Sequence, residues 1–297
     1  MVIRSLLFAL GLLAAGPAAA QDPCAYYTPQ PRPQNAGRDI VGQELDVIQE
    51  QGHMLFAVYA DFPPYSWQQG GRPTGVDIEI AELIAEDLGV DARFNFVAAG
   101  ENLEADLLNN IWKGAVIGGR IANVMMRVPY DSAFSCRVEQ VVFTGQYGAE
   151  SIAIAYDKAS YPDAPPVPAY FRFDSVAVES DSISDFYLAS FAGGQLAGNV
   201  RRYPTMATAM EALNTGEVMA AMGPLGQLEY GLSESSAVHN PPLPGFAVSK
   251  WTLGVAVNFR YRPLSYAVDD AINAGLQDGR IAGIYESYGL TFQQPER

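Results

Sequence analysis

Hydrophobic and polar positions in the first part of the chain repeat with the periods of strands and helices in turn. Residues 54–59 are nearly all apolar, which is typical of a buried parallel strand. An aromatic, proline-containing loop follows, and Gly70-Gly71 then predicts the turn of a short hairpin. Apolar residues recur at helical spacing over 78–88, and Gly89 predicts the end of that helix. The same reading predicts strands at 92–97, 122–126, 141–143 and 151–156, and a helix at 103–113.

The alternation of strand and helix resumes after a proline-rich loop at 161–168. The predicted strands of this part are 175–178, 218–222 and 253–257, and the predicted helices are 207–213, 264–276 and 281–288. Alternating strands and helices indicate an α/β protein built from βαβ units. We expect two lobes, lobe 1 from 46–148 plus 250–297 and lobe 2 from 149–249. The chain would cross between them near 147–151 and 246–252, which predicts a two-strand hinge.

The amino terminus has the pattern of a secretory signal peptide. Arg4 precedes a short apolar run, and Ala18-Ala19-Ala20 supply small residues for cleavage. We therefore expect residues 1–20 to be removed and residues 21–45 to form an extended arm. No later segment is apolar for long enough to span a bilayer, so we expect an exported protein of the periplasm that is not embedded in a membrane.

Two cysteines occur in the whole sequence, Cys24 and Cys136. In an oxidising compartment such a pair is more often bonded than free, so we predict a Cys24–Cys136 disulfide. Two inert thiols are the alternative. Neither cysteine has the spacing of a redox or zinc motif.

Charge and motif content argue against several classes of function. The formal charge is −15, and removing Arg4 makes it −16, which disfavours nucleic acid and anionic membranes as partners. The two histidines, His53 and His239, share no local motif, and no nucleophile elbow, zinc-protease motif or phosphate loop is present. We expect no enzyme activity, no metal and no cofactor.

Residues 54–90 resemble the opening of periplasmic solute-binding proteins of the polar amino-acid type, family 3. The resemblance implies a two-lobed periplasmic binding protein of the type II kind, with mixed sheets flanked by helices. In that family an aromatic residue of the first loop stacks on the ligand, and Phe62 matches it best, with Tyr65 and Trp67 nearby. An arginine six residues before a phenylalanine pairs with the ligand carboxylate there, and Arg137 holds that position before Phe143.

Two departures from this family concern the predicted cleft. The amino-acid binders place an aspartate after a strand like 218–222, where it holds the ligand ammonium, but this chain has Gly223-Pro224-Leu225. Proline offers neither a charge nor an N–H donor. Arg127-Val128-Pro129-Tyr130 replaces a short Gly/Ser-Thr segment. The remaining predicted ligand-binding residues are Arg127, Tyr130, Ser180, Ser182 and Gly223.

These departures resemble a narrower group, the accessory J proteins of methanol oxidation (MoxJ/MxaJ and XoxJ). The shared motifs are Val128-Pro129, Gly223-Pro224-Leu225 and a final Tyr288-Gly289 pair. The resemblance implies a partner: a quinoprotein (methanol) dehydrogenase, which itself uses pyrroloquinoline quinone with calcium or a lanthanide, or its cytochrome. The alternative is the soluble receptor of an ABC importer, with a small carboxylate ligand and an ABC permease as partners. A dehydratase-like enzyme on the same fold is a third hypothesis, for which no proton-transferring side chain stands out.

Overall fold

The computed structural model describes residues 44–114 and 120–296. The predicted signal peptide, Cys24 and most of the predicted arm lie outside these residues, so the signal peptide and the disulfide stay predictions. Over the described ranges the chain forms a nine-stranded mixed sheet with helices on both faces, and a separate two-stranded hairpin. This architecture confirms the predicted α/β class.

The helices and strands alternate along the chain. In order they are α1 Leu45–Gln51, β1 His53–Tyr59, β2 Trp67–Gln69, β3 Arg72–Thr74, α2 Val76–Asp87, β4 Asp91–Val97, α3 Leu103–Leu107 with a π-helical turn Leu108–Trp112, β5 Val124–Tyr130, α4 Ser132–Arg137, β6 Val141–Asp157, β7 Val176–Glu179, α5 Ile183–Ser190, β8 Val200–Tyr203, α6 Met206–Asn214, β9 Ala220–Pro224, α7 Leu225–Tyr230, β10 Ser236–His239, β11 Lys250–Asn258, α8 Arg262–Gln277 and α9 Arg280–Ser287. Short 3₁₀ helices cover Pro168–Arg172 and Phe191–Gly193.

The sheet runs in the order β4-β1-β5-β11-β6-β9-β7-β8, and β10 pairs with β6. Strand β6 is shared by the two halves of this sheet. From Val141 to Ser151 it pairs antiparallel with β11, and from Ile152 to Asp157 it pairs with β9 and β10. We call β4, β1, β5, β11 and the start of β6 the first half of the sheet, and the other strands with the end of β6 the second half.

Each half of the sheet has its own hydrophobic core. Helices α1, α2, α8 and α9 cover one face of the first half, and α3 covers its other face. Helices α6 and α7 cover one face of the second half, and α5 covers the other. Two separate cores joined by strands are what two lobes require. The lobe boundaries at 148/149 and 249/250 stay predictions.

Several elements differ from the sequence-based expectations. The predicted strands 141–143 and 151–156 are parts of one strand, β6, because backbone pairing with β11 continues through the glycine-containing middle where the hydrophobic pattern is weak. Strand β5 begins and ends later than the predicted 122–126. Helices α4 and α7 and strands β8 and β10 were not predicted, since each has only four to six residues. Across the described ranges, no helix combines the length and apolarity needed to cross a bilayer.

Gly75 joins the hairpin to α2 and provides a test of this packing. It has φ 126°, and a Cβ placed there would lie 2.2 Å from the carbonyl oxygen of Tyr65. We expect Gly75→Ala to lower the free energy of unfolding by about 3 kcal/mol, because overpacking and backbone strain add. Gly70→Ala is the control, since Gly70 has φ 59° but no atom within 4 Å of the added Cβ. Its cost should be about 1 kcal/mol, measured by urea denaturation. Equal costs at the two positions would contradict the close approach.

Candidate functional site

A bulge in β5 turns the side chain of Arg127 into the interior. Val128 pairs with Gly254 and Met125 with Ala256, so two residues of β5 stand opposite Val255 alone. Arg127 lies in this bulge with φ 57°, a conformation that favours glycine, and it is only 7% exposed. The guanidinium therefore reaches interior groups that it would not contact if side chains along β5 alternated regularly between the two faces of the sheet.

Two carboxylates lie beside this guanidinium. Arg127 Nη2 donates to Glu150 Oε2 at 2.9 Å, and Nη1 lies 3.7 Å from Asp77 Oδ1. Asp77 belongs to the first turn of α2, whereas Glu150 lies in β6 just before the strand passes into the second half of the sheet. Both carboxylates are buried. Buried charges persist in proteins when they are paired in this way.

Tyrosine hydroxyls complete the surroundings of the carboxylates. Tyr65 donates to Glu150 Oε2, and Tyr147 donates to Asp77 Oδ1 at 2.8 Å. The ring of Tyr65 lies directly against the guanidinium, with 3.1 Å between its centroid and Arg127 Cζ. A cation against an aromatic face is stabilised by the ring quadrupole, more so when both are desolvated. We call Tyr65, Asp77, Arg127, Tyr147 and Glu150 the Arg127 cluster.

The cluster shifts the pKa values of its members. Burial raises the pKa of Asp77, and the charge of Arg127 opposes that shift only in part. Burial alone would lower the pKa of Arg127, but the surrounding tyrosines and carboxylates outweigh it and raise the pKa above its ordinary value. Burial, and then the neighbouring carboxylates, raise the pKa of Tyr65 and of Tyr147. Arg127 is therefore charged at any physiological pH.

The cluster also contacts the second half of the sheet. Glu150 Oε1 accepts from the backbone N–H of Gly226 at 3.4 Å, in the first turn of α7. A Cβ at position 226 would lie 2.5 Å from the hydroxyl of Tyr65, so glycine allows this approach. Nearby, the ring of Trp67 packs on Tyr230 of α7 with 5.9 Å between centroids. Residues of the two halves thus meet at the cluster.

A separate groove of about 1080 Å³ also lies between the two halves. Tyr130 at the end of β5 and Ser132 at the start of α4 line it from the first half. Phe186 and Tyr187 line it from α5 in the second half, and Trp251 lines it from β11. We call it the lateral groove. Its volume suits a small molecule, and its walls include several aromatic side chains among polar and aliphatic ones.

The structure brings only some of the predicted ligand-binding residues together. Phe62 lies in the first loop, with its ring centroid 5.8 Å from Arg127 Cζ and 5.3 Å from the ring of Tyr65. These three predicted residues therefore share one place. Tyr130 is 40% exposed and lines the lateral groove, away from them. Trp67 packs between Tyr230 and Tyr288.

The other predicted site residues have local structural contacts. The hydroxyl of Ser182 caps α5 by accepting from Asp185 N, and Ser180 donates to the carbonyl of Tyr203. Gly223 is buried in β9, where an added Cβ would overlap Met206. These positions support the second half of the sheet, and only α5 continues from them to the lateral groove.

Arg137 and Cys136 lie at the end of α4. Arg137 is exposed, with its Cζ 5.3 Å from the ring centroid of Phe134. Among the described residues, the aromatic ring against the Arg137 guanidinium is that of Phe134 and not that of Phe62. Cys136 is half-buried on the same helix, and its predicted partner Cys24 lies outside the described residues.

Sequence reasoning missed Asp77 and Glu150. The signal for Glu150 was a single carboxylate in a run of small and apolar residues, from Tyr147 to Tyr156. Glutamate in a buried strand requires a partner, and Arg127 of β5 is that partner in the structure. Asp77 looked like an ordinary acidic residue in a first helical turn, which is why it carried no signal.

Asp77 and Asp157 form a matched pair for a pH test, because their pKa values shift in opposite directions. Burial raises the pKa of Asp77, and a hydrogen bond from Ser160 lowers that of Asp157. A raised folded-state pKa means that stability falls as pH rises above about 3.9, whereas a lowered one means that stability is lost as pH falls through that region. In urea melts from about pH 2.5 to pH 7, Asp77→Asn should therefore gain stability relative to wild type as pH rises above about 4. Asp157→Asn should lose stability relative to wild type as pH rises towards about 4, and the difference should then stay constant. A Asp77→Asn curve parallel to wild type would contradict the burial of this carboxyl.

Comparisons with solved structures show the fold alone, because every reported identity is below 25%. An ancestral cationic amino-acid solute-binding protein matches with a TM-score of 0.67 and 21% identity, covering 82% of this chain and 99% of its own. The same ancestral protein is also described as a precursor of cyclohexadienyl dehydratase. An amino-acid ABC transporter substrate-binding protein from Streptococcus pneumoniae, bound to L-arginine, matches with a TM-score of 0.58 and 18% identity, covering 83% and 98%. A solute receptor for L-cysteine from Neisseria gonorrhoeae has a TM-score of 0.56 and 18% identity, covering 83% and 93%.

No curated protein sequence matches the chain. The family model of bacterial extracellular solute-binding proteins, family 3, matches residues 54–291, which is most of the sequence and nearly all of the described fold. The comparisons do not show closeness to the accessory J proteins of methanol oxidation. With its half-sheets joined by shared strands and a groove between them, the chain belongs to the bacterial extracellular solute-binding proteins of family 3.

Proposed function

We propose that this protein is the periplasmic solute-binding component of an ABC importer, and that its solute is an amino acid or a related organic acid. The observation that supports this most is the lateral groove, whose walls come from both halves of the sheet. A ligand held by both halves stabilises their closure, and closure is how such receptors report that they are loaded.

The strands that join the two halves suit such a movement. Strands β6 and β11 pair with each other, and their register shifts between Leu253 and Val255. Irregular pairing at a crossing leaves fewer ladder hydrogen bonds to resist bending. We propose that this region is the hinge, close to the crossings at 147–151 and 246–252.

Arg137 is the residue that we propose for the solute carboxylate. Ser132, the first residue of α4, lines the lateral groove, and Arg137 ends the same helix. A six-residue helix is about 9 Å long, a distance that an arginine side chain can largely span. Its planar fork forms bidentate pairs with carboxylates. Tyr130 would contact the rest of the solute from the groove wall.

An accessory role in alcohol oxidation is the second candidate. It is supported by Val128-Pro129 and Gly223-Pro224-Leu225, and by the place of Pro224 at the junction of β9 and α7. Glu150 reaches that junction, but it already accepts from Gly226 N–H and pairs with Arg127, so it is not free to bind a ligand ammonium. In this role the partner would be a quinoprotein dehydrogenase or its cytochrome. The structural relatives favour the importer role over this one.

Thermal-shift screening of the mature protein tests the importer role. A solute at about 100 times its dissociation constant stabilises the folded state by about 2.7 kcal/mol, which raises the melting temperature. We expect such a rise with at least one amino acid or organic acid. Arg137→Ala should abolish it, while Arg172→Ala should not, because Arg172 stacks on Phe173 in the second half much as Arg137 stacks on Phe134. A flat response across both classes of acid would contradict the proposal.

Affinity capture from a periplasmic extract separates the two candidates. The tagged mature protein should recover the permease of an importer in detergent extracts when its solute is present. Recovery of a quinoprotein dehydrogenase or a cytochrome c, detected by mass spectrometry, would instead support the accessory role. Because the importer interaction depends on loading, Arg137→Ala should reduce recovery of the permease but leave capture of a dehydrogenase unchanged.

A further inference from the structure

We propose that Tyr65, Asp77 and Glu150 form a guanidinium-binding cage, and that Arg127 fills it as a built-in cation. The inference rests on the proposed function in one respect, because it states which solutes the junction between the halves excludes. A cage already occupied by the chain's own guanidinium cannot accept the side chain of a cationic amino acid.

The geometry of the cage suits a planar cation. The ring of Tyr65 covers one face of the guanidinium with 3.1 Å between the ring centroid and Arg127 Cζ. Glu150 accepts from the edge of the guanidinium at 2.9 Å, and Asp77 lies 3.7 Å from the other terminal nitrogen. An aromatic face with carboxylates at the edge is the arrangement that recognises guanidinium groups in general.

The charge balance gives the cage its preference. Asp77 and Glu150 are both buried, and Arg127 forms their ion pairs. Among the described residues, no other lysine or arginine forms an ion pair with either of them. Removing the guanidinium would leave two uncompensated carboxylates with little access to water. Such a site strongly favours entry of a small cation that restores the hydrogen bonds.

The backbone of Arg127 indicates that this placement is maintained against strain. Its φ of 57° lies in a region that disfavours residues with a side chain, and the surrounding β5–β11 bulge holds it there. A regular strand would have avoided this strain and directed position 127 elsewhere. The strained conformation is therefore linked to delivery of the guanidinium into the cage.

Chemical rescue of the full mature protein tests the cage. Arg127→Ala should have a lower melting temperature than wild type, and millimolar guanidinium chloride should recover a large part of the loss. Sodium chloride at equal ionic strength and urea, a neutral molecule of similar shape, should not. Arg260→Ala is the matched control, because Arg260 also stacks on an aromatic ring, with 5.1 Å between its Cζ and the ring centroid of Trp112. Arg260 is exposed, however, and forms no ion pair with a carboxylate among the described residues. Its melting temperature should not respond specifically to guanidinium.

A double variant separates a specific cage from general stabilisation. Arg127→Ala combined with Glu150→Gln should lose the guanidinium response, since one carboxylate of the cage is neutralised. If Arg127→Ala alone does not stay folded, refolding it with and without guanidinium gives the same test, with recovery by circular dichroism as the readout. Absence of any guanidinium-specific recovery, or an equal response in Arg260→Ala, would overturn the proposal.

The wild-type protein gives the corresponding binding result. Methylguanidine, which has no carboxylate for the lateral groove to bind, should cause no thermal shift of wild type but should stabilise Arg127→Ala. An equal shift of the two proteins by methylguanidine would contradict the proposal. Failure of the importer proposal would appear as a flat acid screen of wild type, which leaves the rescue of Arg127→Ala unaffected and so is a distinguishable result.

Discussion

The ion pair between Arg127 and Glu150 is the contact on which the junction of the two half-sheets depends. Removing two charged groups from water costs several kcal/mol for each ion, and only close pairing with further hydrogen bonds offsets that cost. Here the offset comes from Asp77, from the ring of Tyr65 and from two tyrosine hydroxyls. Because these groups come from four elements, the pair and its neighbours fix the first loop, α2, β5 and β6 relative to one another. Loss of any one member would leave a buried charge or hydroxyl without its partner.

That constraint extends from the first half of the sheet towards the second. Glu150 receives the N–H of Gly226, and the carboxyl-terminal segment adds hydrogen bonds from Ala149 N to the Gln293 carbonyl and from the Gln293 side chain to Ser151. The lateral groove shares no lining residue with the Arg127 cluster. The rigid part of the junction and the part with space for a solute are therefore distinct, and a movement of α5 relative to Tyr130 could alter the groove while the cluster stays intact.

The sequence predicted the architecture better than it predicted the site. Long apolar runs and helical spacing were sufficient for β1, α2 and α8, because burial in the two cores determines those patterns. The middle of β6 could not be predicted from side chains, since backbone pairing with β11 forms it. The same limit applied to the site. Phe62, Tyr65 and Arg127 were singled out as ligand-binding residues, and the structure places them side by side. Their mutual contact depends on a bulge, and a bulge is a property of register between two distant strands. Asp77 and Glu150 became recognisable only when Arg127 was placed beside them.

Family membership and solute chemistry are separate questions for this chain. The fold requires only the strand order, the crossing strands and the helices on both faces, and these tolerate identities near 20%. Solute chemistry depends on which charges remain unpaired between the halves. At the cluster both carboxylates already pair with the guanidinium of Arg127, so neither is free to pair with a cationic solute. At α4, by contrast, Arg137 is exposed, and Ser132 at the other end of the same helix lines the groove. Under the proposed function this exposed arginine would select an anionic group locally, even though the overall charge of −15 repels anions at long range.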